Sequence, residues 1–169
     1  MKRYLIAGKF VSVHGLHGEL KIYPYCDSAE MLAGFKHLYL DEKGSKELKF
    51  DRLRVTNNMV LIKILGIDSV EEARRYIDRL IYFDRQDYKL EEGVHFIDDL
   101  LGCSVEDAMS TKVYGKLIDV TSNGAHDVYH VKMINGETRF IPVVPAFIDN
   151  IDITTKVIKV NPIPGMLEE

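Results

Sequence analysis

Apolar and polar residues alternate with period two along much of the chain. Leu20 and Ile22 alternate with Glu19, Lys21 and Tyr23, as in a strand with one buried face. Leu48 and Phe50 are followed by Leu53 and Val55, so the alternation slips by one residue at Asp51 and Arg52. A slip of one residue is what a β-bulge produces. Asn57-Asn58 separates this stretch from MVLIKI at 59–64 and predicts a hairpin, because Asn tolerates positive φ. The opening MKRYLIAGKFVSVHG reads as a first strand. Its two basic residues and apolar run resemble a leader, but Gly8, Lys9, Ser12 and His14 interrupt the run and no small-residue cleavage site follows.

Two short helices interrupt the strands. One is predicted over 27–35, opened by Asp27 with Glu30 three residues on. The other opens with Ser69-Val70-Glu71-Glu72, a capping box, and places Val70, Ala73 and Ile77 on one face. LIYF at 80–83 closes the first group of strands. The polar, Gly-containing run RQDYKLEEGVHF reads as a connection, and strands resume with GCSVED, GKLIDVTS, DVYHVKM and ETRFIPV. Asn135-Gly136 between the last two is a strong hairpin signal. KVIKV at 156–160 is the final strand. The pattern predicts a mainly β protein of two small β domains: 1–84, a linker at 85–94, and 95–169.

With 169 residues, 46% of them hydrophobic and 28% charged, the composition is that of a folded globular chain. No apolar run approaches the ~18 residues of a membrane helix, so a cytoplasmic protein is expected. Cys26 and Cys103 are the only cysteines and form no paired motif, which predicts free thiols. The net charge of −4 argues against a general nucleic-acid binder. The charge is uneven: residues 1–90 carry +3 and residues 91–169 carry −7. Such asymmetry suggests two surfaces with different partners.

The chemistry-bearing residues do not assemble into an enzyme. His14-Gly15-Leu16-His17-Gly18 could be a metal pair, an anion loop or an exposed turn. Nothing completes a zinc set, and a strand rather than a helix is predicted to follow. Asp98-Asp99 would face opposite sides of an extended strand, so they cannot share an acid–base site there. Cys103 has no basic neighbour in sequence, and no Gly-x-Ser-x-Gly elbow exists. Basic residues cluster at Lys49, Arg52, Arg54 and Lys63, and again at Arg74, Arg75 and Arg79. Patches of this kind can meet phosphate. A binding or assembly role is therefore favoured, with no metal and no cofactor.

The opening GKFVSVHGLHGELKIYPYCD, the middle DSVEEARRYIDRLIYFDRQDYKLEEGVHFIDDLLGCSVED, and GKLIDVTSNGAHDVYHV with FIPVVPAFI and GMLEE resemble the ribosome maturation factor RimM family. The resemblance implies a six-stranded N-terminal β-barrel and a C-terminal PRC-type β-barrel. It further implies a non-catalytic factor that binds the immature small ribosomal subunit, assists maturation of its head and rRNA, and contacts the nineteenth protein of that subunit. An aromatic pair of the family falls at His95-Phe96, giving a protein-binding set His95, Phe96, Asp98 and Asp99. As begun on a strand, the pair would turn one ring inward and one outward. The expected rRNA or subunit contacts are His14, His17, Arg52, Arg54 and Lys63, on a monomer without a membrane partner. This chain departs from the family at Ile77-Asp78, where many members have glycine, and at Ala108-Met109-Ser110. The alternative is a flavin- or nucleotide-binding barrel fused to a PRC adaptor, which needs a phosphate loop leading into a helix.

Overall fold

The computed structural model describes residues 1–122 and 124–167. It divides into two compact units, Lys2–Glu91 and Glu92–Glu169. Most regular structure is strand, and no helix among the described residues is long and apolar enough to cross a membrane.

In the first unit the order is β1 (Tyr4–His14), β2 (Glu19–Pro24), α1 (Ala29–Ala33), β3 (Leu38–Tyr39), β4 (Glu47–Leu48), β5 (Phe50–Thr56), β6 (Met59–Ile64), α2 (Val70–Arg74) and β7 (Leu80–Asp84). One antiparallel sheet runs β4-β3-β7-β1-β2-β6-β5. Its two edge strands, β4 and β5, are separated in the chain by Lys49 alone. The two ends of the sheet are thus neighbours in the chain, joined through one kinked stretch. Counted as one strand, that stretch makes the six expected. Phe10, Leu20, Ile22, Leu32, Leu38, Ile62 and Ile81 fill the interior, each wholly buried.

Local signals explain the connections. Register shifts between Phe50 and Leu53, where the alternation slips. Asn57 and Asn58 take φ of 47° and 58°, the hairpin geometry their side chains tolerate. Ser69 and Glu72 form the capping box in full, but α2 is shorter than two turns. Ser28, not Asp27, caps α1 by accepting from the Met31 N–H. Asp78 stands at φ 67°, a left-handed conformation that its short polar side chain bears, and it pairs with Lys9 at 2.9 Å. Within the 85–94 stretch, Arg85–Asp87 form a 3-10 turn and Tyr88 packs edge-on to Phe35 at 6.0 Å.

The second unit contains α3 (Ile97–Leu100), β8 (Ser104–Asp107), β9 (Val113–Ser122), β10 (Asp127–Met133), β11 (Thr138–Pro142), β12 (Ile148–Asp152) and β13 (Val157–Val160). The sheet order is β11-β10-β9-β8-β13-β12, and β13 pairs with β8 in parallel. Cys103, Val105, Leu117, Val131, Ile141, Ile158 and Val160 form its core. β12 lacks a clean alternation because its register shifts between Ile148 and Asn150. α3 replaces the strand expected to begin at His95-Phe96. Phe96 stands at its N-cap position, and both His95 and Phe96 are half-buried rather than one in and one out.

Candidate functional site

The outer face of β5-β6-β2-β1 carries Lys9, Lys21 and Arg54, whereas Arg74, Arg75 and Arg79 lie on and after α2. Register sets Arg54 beside Leu61, then Lys21, then Ser12. Leu61 stands between Arg54 and Lys21 in register and is only 4% exposed. Arg54 donates to Glu19 at 2.8 Å. Arg52 is exposed in the bulge and has no ion pair among the described residues. Lys63 is otherwise engaged. Its ammonium donates to the His17 carbonyl at 2.5 Å, to the Ile67 carbonyl, and to Asp68 at 2.8 Å. It therefore ties the β1–β2 turn to the loop before α2.

His14 and His17 sit on that turn, exposed, with Leu16 at its tip 79% exposed. Gly15 and Gly18 have φ of 64° and 75°. A Cβ on Gly18 would lie 2.6 Å from the Ile67 carbonyl oxygen, so the backbones meet where only glycine fits. The turn leads into β2, not a helix, so the element required by the nucleotide-binding alternative is a strand here. Sequence reasoning passed over Tyr23 and Tyr25 on the same face; their alternation with Ile22 and Pro24 was the available signal.

In the second unit, Asp98 and Asp99 lie on α3, Phe96 caps it and His95 precedes the cap. Asp98 is exposed, but Asp99 is only 2% exposed, so its side chain is not on the surface with the rest of the expected set. Helical geometry separates them, and the Asp99 carbonyl accepts from Lys156 at 2.6 Å. Beside α3 lies a cleft of about 240 Å³. Val94, His95, Ile97, Val120, Asp127 and Tyr129 are among its walls. Val94 and Ile97 are 46% and 47% exposed, so apolar surface borders the opening. Burial pushes the Tyr129 phenol up to about 12, with Asp127 adding to the effect, so it stays a neutral hydroxyl. Phe96 does not line this cleft.

The thiols suit structure more than chemistry. Burial pushes Cys26 up to about 12 and it donates to the Ala7 carbonyl; Cys103 is raised by burial as well. His130 meets Thr121 at 2.8 Å and Phe140 edge-on at 4.8 Å. Among the described residues no three His, Cys, Asp or Glu gather as a metal site would need.

Residues 5–88 match the RimM N-terminal domain and residues 97–166 match the RimM PRC barrel domain. The chain belongs to the RimM family. It is 35% identical over 165 residues to the ribosome maturation factor RimM of Clostridium botulinum strain Langeland, covering 96% of each chain. To that of Clostridioides difficile strain 630 it is 36% identical, covering 95% of this chain and 94% of the relative. A solved 16S ribosomal RNA processing protein RimM of Pseudomonas aeruginosa is 26% identical, with a TM-score of 0.46 over 94% of this chain and 96% of the other. The RimM assignment makes the second unit a PRC barrel domain and gives both units their place in a two-domain family architecture.

Proposed function

We propose that this protein is a ribosome maturation factor that binds the immature small ribosomal subunit and assists its rRNA processing without catalysing a reaction. The observation that carries the reading is the match, over nearly the whole length of both chains, to relatives bearing that name. The first unit supports an rRNA contact through His14, His17, Arg52 and Arg54, with Lys63 holding the turn that presents the histidines. The second unit supports a protein contact. Its acidic balance suits a basic ribosomal protein, and its cleft beside His95 has apolar walls with a hydroxyl and a carboxylate. The partner proposed is the nineteenth protein of the small subunit, contacted in the head through His95, Phe96 and Asp98 by a monomer.

The test is capture of the tagged protein from lysate at low salt, followed by analysis of the bound rRNA. Small-subunit rRNA with unprocessed ends should be enriched; mature rRNA alone, or none, overturns the reading. The protein contact is checked with His95→Ala/Phe96→Ala and, separately, Asp98→Asn, by binding to the purified ribosomal protein with melting measured alongside. Weaker binding at nearly unchanged melting supports the contact. Full binding by both variants removes it.

A further inference from the structure

The outer face of the first unit carries an aromatic pair. Tyr23 and Tyr25 are 51% and 52% exposed and meet edge to face, with centroids 5.8 Å apart. Alternation along β2 puts Lys21 and Tyr23 outward, and Tyr25 continues the ladder by donating its N–H to the Ala7 carbonyl at 2.9 Å. Lys9 stands opposite Tyr23 in register, and Lys21 lies opposite Ser12. Lys21 has no ion pair among the described residues, whereas Lys9 meets Asp78 at 2.9 Å. Asp78 is 79% exposed at its side chain, so water screens that pair.

On the other side of Tyr23 lies a cleft of about 320 Å³, walled in part by Cys26, Asp27, Ser28, Glu30 and Asn58. The Ser28 hydroxyl caps α1 and the Cys26 thiol is bonded to Ala7, so both are occupied. Asp27, Glu30 and Asn58 remain exposed. The Asp27 and Glu30 carboxylates disfavour phosphate, and they and the Asn58 amide oxygen can accept hydrogen bonds from the amino groups of bases. The face is therefore sorted: cations for a backbone on one side of the rings, acceptors for base edges on the other.

We propose that Tyr23 and Tyr25 form a stacking platform for an unpaired base of single-stranded RNA, with Lys9 and Lys21 meeting its phosphates and Asp27 its exocyclic amino group. An aromatic ring can stack on a base only where the base is not already stacked in a helix, so duplex RNA is excluded from the platform. The proposal rests on the ribosomal role proposed above, which supplies the RNA.

The test uses the full chain and a labelled single-stranded RNA oligonucleotide at low salt, with a fully paired duplex of equal length as comparison, read by fluorescence anisotropy. Tyr23→Leu/Tyr25→Leu, which keeps apolar bulk but loses the rings, should bind the single strand about tenfold more weakly. Tyr23→Phe/Tyr25→Phe, which keeps the rings, should bind like the unmodified protein. Lys21→Gln should flatten the salt dependence. Equal affinity of the Leu pair, no binding by the unmodified protein, or preference for the duplex overturns the platform. Co-sedimentation with immature small subunits separates the two proposals. If the unmodified protein fails to co-sediment, the ribosomal role falls. If it and the Leu pair co-sediment equally, only the platform falls.

Discussion

Gly15 and Gly18 share a turn and a left-handed backbone, yet their surroundings differ. A Cβ on Gly15 would meet open space, and one on Gly18 would strike the Ile67 carbonyl. Gly15→Ala should therefore cost only the conformational strain, about 1 kcal/mol, and Gly18→Ala about 3 kcal/mol because strain and collision add. Urea unfolding of the two variants measures this; equal losses would refute the close approach. Asp84 gives a second prediction. Burial pushes its carboxyl up, but the Arg3 guanidinium and the Gln86 N–H outweigh that and hold it below the ordinary value. A carboxyl lowered in the folded state stabilises the fold above its unfolded value, near pH ~4, and loses that contribution as pH falls through the folded value. Asp84→Asn should flatten the decline of unfolding free energy below about pH 4. Parallel curves for the two proteins would show that the carboxylate carries no such linkage.

Elements marked by local chemistry could be read before the structure: the bulge at Asp51–Arg52, the Asn57-Asn58 hairpin, the Ser69–Glu72 capping box. Each is encoded by residues within a few positions of one another. β3 and β4 have two residues each, too few for a period; β3 exists because β7 and β4 flank it, and β4 because it pairs with β3. α3 went unread because His95-Phe96 sits between a polar run and apolar residues, as a strand start would. The basic candidates fared unevenly for the same reason. Type and spacing place Arg54 and Lys63 on one hairpin, but the His17 carbonyl that Lys63 reaches lies 46 residues away in the β1–β2 turn. Lys63→Met, which keeps the stem, should destabilise the first unit by about 2 kcal/mol through its lost charged hydrogen bonds. Amide exchange should quicken at 14–18 and 65–69 together. Faster exchange in only one of these segments would mean that the lysine does not join them.

At the scale of the whole chain, two separately cored units predict separate resistance to protease. Residues 91–94 are exposed and lie outside every helix and strand, whereas Tyr88 is held against Phe35. Limited digestion should cut first within 89–95 and leave two lasting fragments. First cuts inside β5–β6 or β9–β10 would place the joint elsewhere. The parallel pairing of β13 with β8 bears on the chain's birth as well as on its finished form. A chain emerges from its N-terminus, and the first unit has all its strands once Asp84 is out. The second waits longer. β8 is made early, but one of its two neighbours is Val157–Val160, some fifty residues later, and β12 joins the sheet only through that strand. Translation halted before Val157 would release a folded first half attached to a sheet that ends at β8, with Val105 and its core neighbours uncovered on that side. For the second unit, synthesis and completion are almost the same event.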